Sequence, residues 1–264
     1  MREPRRSGGT AIILACSAGT EVPEKTALRP ITRPALLLAL SLLASPARAV
    51  NPVVRFATIL GNYDVELCQD VSTLCTGTAP VSVANFLAYV DGDRYPTTSF
   101  IHRRGGGGAS PLVVQGGGYW IDAQGAANSV TPFAPIALEV GVGLSNLRGT
   151  IAMARSTAPD TATSQWFINL VDNVNLDTAG GGYAVFGKVT DEAGLAVLDA
   201  IRALPRYNVG SPFTELPLKD YPLNGPAYPY MVYVSSVERV PEAGAALASA
   251  VALGSLAALK RRRA

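Results

Sequence analysis

Residues 148–189, RGTIAMARSTAPDTATSQWFINLVDNVNLDTAGGGYAVFGKV, constrain the fold more than any other part of this 264-residue chain. They read as strand, polar loop, strand, glycine-rich loop, strand. Short apolar, aromatic or β-branched runs fall at 150–154, 165–170 and 183–189, and none of the three recurs with the 3.6-residue period of a helix. A chain built from many short strands exposes edges that attract other chains, and closing the sheet on itself removes them.

The two ends of the chain read differently from its middle. Arg29 and Arg33 precede an apolar run over 35–43, and Ala47-Arg48-Ala49 follows it. That is the pattern of a secretory signal peptide with a small-x-small cleavage site, so Val50 is expected to begin the mature protein. A rival, lipoprotein-like leader ending at Cys16 has a shorter apolar stretch and leaves the later signal unexplained. At the other end, Pro241-Glu242, an apolar run over 245–259 and Lys260-Arg261-Arg262-Arg263 follow one another. This order resembles the PEP-CTERM sorting tail of exported bacterial proteins, which a dedicated protease removes, although Ala243 stands where a second proline is usual. The plain alternative is a membrane anchor with a basic cytoplasmic end. The expected organisation is a leader over 1–49, one folded domain over 50–240 and a tail over 241–264.

Setting the ends aside changes the electrostatics. The whole chain carries a formal charge of +2, but residues 50–241 hold 11 Lys and Arg against 16 Asp and Glu, about −5. Such a domain offers no basic surface for nucleic acid. Of the three cysteines, Cys16 leaves with the leader; export would then pair Cys68 with Cys75 across a short loop, the other reading being two free thiols.

Within the domain, residues 53–67 form a hairpin pattern whose two β-rich runs break at Gly61-Asn62. Pro80 suits a first helical turn, and Val83, Phe86, Leu87 and Val90 recur at i, i+3, i+4 and i+7 up to Asp91-Gly92. A second helix is expected over about 191–204, with Leu195, Leu198 and Ile201 on one side and Pro205 as its stop. Residues 205–230, rich in Pro and Gly, read as a long surface excursion before a last strand over 231–240.

The motifs GTIAMAR, SQWFIN, NLD and YAVFGKV, together with APVSVANFLAYV at 79–90, IHR at 101–103 and VVQGG at 113–117, follow an order and spacing that resemble the cyclophilin peptidyl-prolyl isomerases, especially the bacterial branch. The resemblance covers roughly two-thirds of the chain. It implies a mainly β fold, a closed eight-stranded antiparallel barrel capped by two α-helices, and catalysis of rotation about X-Pro bonds in other exported proteins. It further implies proline-containing peptide segments as partners, a cyclosporin-type ligand, and, through the two ends, contact with signal peptidase and a C-terminal sorting protease.

That chemistry needs no nucleophile, metal or cofactor, because the barrier of ~18–20 kcal/mol comes from delocalisation of the nitrogen lone pair into the carbonyl. It needs a site that binds the twisted amide better than the planar one. In the family the donor aimed at the proline nitrogen is the arginine of a Phe-His-Arg motif, which corresponds to Arg103, with Gln115 beside it. The matched socket and groove residues are Leu112, Val113, Ala154, Arg155, Gln165, Phe167, Leu176 and Tyr183. His102, the only histidine, is expected to pack rather than titrate, which leaves a hydrolase relay or a multi-histidine metal site without a second member. No G-x-S-x-G elbow occurs.

Two departures from the family pattern bear on activity. RGGGGASPLVV at 104–114 is about four residues longer than the family's link, and four successive glycines give the arginine's support more backbone freedom. Asn175 replaces a frequent large aromatic, which opens one wall of the groove. The alternative function is therefore a cyclophilin-fold peptide-binding or surface-matrix module with weakened catalysis.

Overall fold

The computed structural model describes residues 51–106 and 111–242. The expected leader, residues 107–110 of the glycine-rich insertion and the tail beyond residue 242 lie outside the described residues.

Strands β1 (Val53–Thr58) and β2 (Gly61–Leu67) form the expected hairpin, but its turn is Ile59-Leu60 rather than Gly61-Asn62. Thr58 closes the turn two residues early: its hydroxyl donates to the Gly61 carbonyl at 2.7 Å and accepts from the Leu60 amide at 3.1 Å. Gly61, paired with Thr58, is needed for another reason. It sits at φ +126°, where a Cβ would come within 2.9 Å of the Val197 side chain on the second helix.

The remaining strands are β3 (Ser99–Phe100), β4 (Arg103–Arg104), β5 (Val113–Gly116), β6 (Tyr119–Ile121), β7 (Ala127–Ser129), β8 (Thr150–Met153), β9 (Trp166–Asn169), β10 (Val185–Val189), β11 (Arg206–Tyr207), β12 (Leu216–Pro217) and β13 (Tyr233–Arg239). Eleven of them form one curled antiparallel sheet in the order β4-β5-β9-β8-β10-β2-β1-β13-β3-β6-β7, and β11 and β12 make a separate ladder. Eleven segments thus stand where eight strands were expected. Two of the three additional segments arise because the runs 99–104 and 113–121 bend partway, and the short β7 is the third. Gly117 permits the second bend: at φ +74°, a Cβ there would lie 2.5 Å from the Ser164 carbonyl oxygen.

Two helices pack on this sheet. In α1 (Pro80–Asp91) the apolar stripe predicted from the sequence, Val83, Phe86, Leu87 and Val90, is buried. No side chain of its own segment caps it; instead the Glu139 carboxylate accepts from the Val81 and Ser82 amides at 3.0 and 2.6 Å, setting negative charge at the helix N-terminus. In α2 (Glu192–Ala203) Asp191 is the N-cap, its Oδ1 accepting from the Gly194 amide at 2.8 Å, and Leu198 and Ile201 face inward. Phe56 stacks on Tyr63 at 4.8 Å and meets Trp166 edge-on at 5.0 Å, at the heart of the main core.

Residues 205–230 are more than the surface excursion the sequence suggests. Leu216 and Leu218 are fully buried with Phe100, Ile121 and Met231, which makes a second, smaller core. A backbone bond from Leu218 N to Pro205 O folds this segment onto its own start, and one from Arg104 N to Glu215 O ties it to β4.

Cys68 and Cys75 are buried and joined by a disulfide, with their Cα atoms 5.3 Å apart. Alkylation of the non-reduced protein is expected to label neither; labelling of both would contradict pairing in the cell. Because the closed loop is short, loss of the bridge should cost on the order of 2 kcal/mol, read from chemical denaturation of a double-serine variant.

Candidate active site

Antiparallel register lines up one row of side chains across five strands. Arg103 lies opposite Gln115, Gln115 opposite Phe167, Phe167 opposite Ala152, and Ala152 opposite Val185. Side chains alternate between the faces of a strand, so the neighbouring residues Val114, Ile168 and Ile151 point the other way and are wholly buried in the main core. On the site face, Val113, Phe167 and Leu176 join Ala152 and Val185 in an apolar cluster flanked by Ala154 and Tyr183. Leu176 is delivered by the 3₁₀ turn Val174–Asp177.

A cleft of about 220 Å³ opens over this cluster. Phe167, Val113 and Leu176 form its apolar part, Arg103 and Gln115 its polar side, and Ala154, Arg155 and Tyr183 the facing wall. Eight of the ten residues that the sequence assigned to the site therefore meet in one place. Gln165 lines an adjoining cleft of about 340 Å³ with Thr161 and Thr163, connected through Gln115 and Ala154. A third, of about 570 Å³, shares Pro111, Leu176 and Tyr183 with the first and runs past Asn175 and Gly180, where a larger residue than asparagine would narrow it.

Leu112 is the exception and corrects the sequence reading. Adjacent residues of a strand cannot both face the cleft, and Leu112, next to Val113, packs against the main core on the same side as Val114. Pro111 lines the cleft in its place. What Leu112 contributes is its backbone: its amide donates to Asn173 Oδ1 at 3.3 Å and its carbonyl accepts from Asn173 Nδ2 at 3.1 Å. Asn173 also donates to Asn169 Oδ1 at 2.9 Å, which ties the strand carrying Val113 to the turn carrying Leu176. Sequence reasoning missed this polar girder, and with it Asp177, which accepts from the Ser145 hydroxyl and from both the backbone and side-chain nitrogens of Asn146. Burial pushes the Asp177 carboxyl up, but these hydrogen bonds outweigh it and hold the group below the usual carboxylate range.

Three polar side chains of the site have defined partners. Arg103 donates from Nε to Glu215 Oε2 at 2.7 Å, while about half of its side chain stays exposed. Gln115 Nε2 donates to Gln165 Oε1 at 2.8 Å, joining the two clefts. Arg155 spends its donors on backbone, reaching the Gly182 carbonyl from Nε and Nη2, the Gly180 carbonyl from Nη2, and the Ser156 and Thr157 carbonyls from Nη1. Its guanidinium also lies 4.7 Å over the Tyr183 ring, which itself meets Phe167 edge-on at 5.6 Å. Arg155 thus builds the wall of the cleft and has little left to offer a ligand.

His102 packs, as the sequence suggested. It is buried, edge-on to Tyr119 at 5.0 Å, and burial, helped by the charge of Arg103, pushes its pKa down to about 3. Below pH ~6.5 the unfolded chain takes up a proton at this residue that the folded chain refuses. The resulting stabilisation is complete above that pH and is lost as pH falls toward 3. Between pH 7.5 and 4.5 the unfolding free energy of the wild type should drop by about 2–3 kcal/mol more than that of His102→Phe. Equal drops in urea titrations of the two proteins would contradict a buried neutral imidazole.

Among the described residues no group of three or more His, Cys, Asp and Glu side chains is placed to hold a metal ion. Nor does any described helix have the length and apolarity to cross a membrane.

Comparison with known proteins places the chain in a family. Residues 54–222 match the family model described as cyclophilin type peptidyl-prolyl cis-trans isomerase/CLD. The chain is 40% identical over 171 residues to a peptidyl-prolyl cis-trans isomerase of Acinetobacter baylyi, covering 64% of this chain and 81% of that one. It is 41% identical over 188 residues to peptidyl-prolyl cis-trans isomerase A of Dickeya dadantii, covering 70% and 90%. Among solved structures, a cyclophilin type peptidyl-prolyl cis-trans isomerase of Cryptosporidium parvum shares the fold, with a TM-score of 0.50 and 21% identity, over 73% of this chain and 99% of the other. With a matching family model across most of the folded residues and two relatives at 40% identity or above, the chain belongs to the cyclophilin-type peptidyl-prolyl cis-trans isomerases.

Proposed function

We propose that the protein rotates X-Pro bonds in proline-containing segments of exported proteins, with the proline ring seated on Phe167, Val113 and Leu176 and the Arg103 guanidinium aimed at the proline nitrogen. One observation carries this reading: the register of β4, β5 and β9 sets Arg103, Gln115 and Phe167 side by side over a single apolar cleft. As the amide twists, its lone pair localises on nitrogen, and a charged donor held there interacts more strongly with the transition state than with the planar ground state. Gln115, steadied by Gln165, is placed to hold the peptide backbone on the acyl side. A cyclosporin-type ligand would occupy the same cleft.

The glycine-rich insertion argues less for a binding-only module than the sequence alone implies. Arg103 and Arg104 are already paired with Gln115 and Val114 before the first glycine, so the arginine's backbone is fixed on its N-terminal side. The sheet is read as a closed barrel of eight strands on similar grounds. Counting 99–104 and 113–121 as two bent strands leaves eight around a ring, with β7 as an outlying ninth. At the first bend, Ile101 N donates to Val232 O at 2.9 Å and His102 N to Gln115 O at 3.0 Å, so one strand holds both of its neighbours.

Export rests on the leader and tail patterns at the two ends of the sequence. If the tail is a sorting signal, intact-mass analysis of protein from cells with the sorting protease should find a C-terminus near Glu242. Recovery of chains still ending at Ala264 would contradict sorting and favour a permanent anchor.

A protease-coupled cis/trans assay on short X-Pro peptides tests the activity. Acceleration well above the uncatalysed rate, which has a time constant of tens to hundreds of seconds, is expected. No acceleration by correctly folded protein would contradict the reading.

A further inference from the structure

Arg103 stands at an insecure place. It lies on the two-residue strand β4, which ends at Arg104 and is followed by Gly105 and Gly106, the latter at φ +113°. Backbone pairing fixes its Cα but leaves a long, half-exposed side chain free to sweep several ångströms. Catalysis by a donor aimed at one nitrogen does not tolerate such a sweep.

The restraint comes from 112 residues away. Glu215 Oε2 accepts from Arg103 Nε at 2.7 Å, and Glu215 Oε1 accepts from Arg206 Nη1 at 2.8 Å. The carboxylate is therefore gripped from two sides, and it is anchored through its own backbone, since the Glu215 carbonyl accepts from the Arg104 amide at 2.9 Å. The next residue, Leu216, is fully buried in the second core, so Glu215 stands on a fixed base. Bonding at Nε leaves both Nη groups of Arg103 without a hydrogen bond among the described residues, and Arg103 lines the cleft. Glu215 is also the acid amid a basic group: Arg103, Arg104 and Arg206 surround it. Without it, mutual repulsion would push Arg103 away from its neighbours.

We infer that Glu215 is a positioning residue for Arg103, and that residues 205–230, whose role the sequence left blank, form the brace of the catalytic arginine. This rests on the reading of Arg103 as the donor to the proline nitrogen. The ion pair is too exposed to contribute much to stability, so its effect should appear in turnover.

The experiment is a double-mutant cycle on the purified full chain, with kcat and KM measured separately on an X-Pro peptide and folding checked by thermal unfolding. Glu215→Ala should lower kcat by roughly tenfold to a hundredfold, the scale of an ångström-sized misplacement, and leave KM within about twofold. Glu215→Gln keeps one acceptor oxygen at the same reach but neither the charge nor the second acceptor, and should recover only part of the loss. In an Arg103→Ala background, Glu215→Ala should have almost no further effect, because its action passes through the arginine. Wild-type kcat in Glu215→Ala overturns the inference. So does an undiminished loss in the Arg103→Ala background, or an equal fall in kcat, KM and melting temperature for the Ala and Gln variants, which marks a structural role only. Wild-type kcat in Arg103→Ala alone, with Glu215 intact, would instead remove the reading of Arg103 and this inference with it.

Discussion

Replacing Arg103 with alanine should lower kcat/KM for an X-Pro peptide by roughly 10²–10³, because a preorganised charged donor facing developing lone-pair density contributes ~3–4 kcal/mol in comparable sites. The uncharged amide of Gln115, already bonded to Gln165, cannot replace it. Peptide affinity should change far less, since the ring is held by the apolar cluster of Phe167, Val113 and Leu176 and not by the guanidinium. Stability should also be nearly unchanged, as the side chain is half exposed and its ion pair with Glu215 lies at the surface. A loss confined to kcat, with Kd for the peptide steady by calorimetry, is the expected pattern. A parallel rise in Kd would mean that the arginine binds the ground state and is not the differential donor.

Phe167→Ala should do the reverse and damage everything at once. Phe167 is 5% exposed, sits at the centre of the cross-strand row between Gln115 and Ala152, and supports the Tyr183 ring edge-on. Truncating a buried phenylalanine costs ~3–5 kcal/mol of stability, and at this position the cavity opens into the cleft itself. Peptide affinity should fall at least tenfold together with kcat/KM, and the melting temperature should drop by several degrees. Phe167→Leu, which keeps much of the volume, should restore stability before it restores affinity, because only a flat ring matches the face of a proline. Unchanged affinity in the alanine variant would place the socket elsewhere.

The comparison of these two residues also shows what was legible in the sequence. Phe167, Gln115 and Arg103 lie in three separate strands, and it is the resemblance of their three motifs to the cyclophilins that singles them out, since taken one at a time they read as core or as ordinary surface. Period-two alternation carried one residue back from β5 sets Leu112 on the face opposite Val113, toward the core with Val114. Gly61-Asn62 is a strong turn signal that misleads by two residues, because the local hydrogen bonds of Thr58 and the approach of Val197 decide the register, and neither is visible as a dipeptide preference.

Glu215, Asn173 and Glu139 were not legible for a different reason. Each acts on a segment far along the chain, respectively Arg103 at 112 residues, Leu112 at 61, and the first turn of α1 at 57 and 58. Long-range polar partners leave no periodicity and no spacing signature. The small core formed by Leu216 and Leu218 was hidden likewise, in a stretch whose proline and glycine content reads as loop.

The glycine-rich insertion remains the feature that most favours a weak catalyst, and the ladder of Arg103 with Gln115 and the contact with Glu215 are what oppose it. Equilibrium exchange spectroscopy on an X-Pro peptide, with substoichiometric protein, measures rotation without a coupled protease and gives binding from the same sample. The expected result is cis–trans exchange far faster than the uncatalysed rate in wild type and reduced about a hundredfold in Arg103→Ala, with peptide affinity within about threefold of wild type. A wild-type protein that binds the peptide yet leaves its exchange at the uncatalysed rate would contradict catalysis at this cleft.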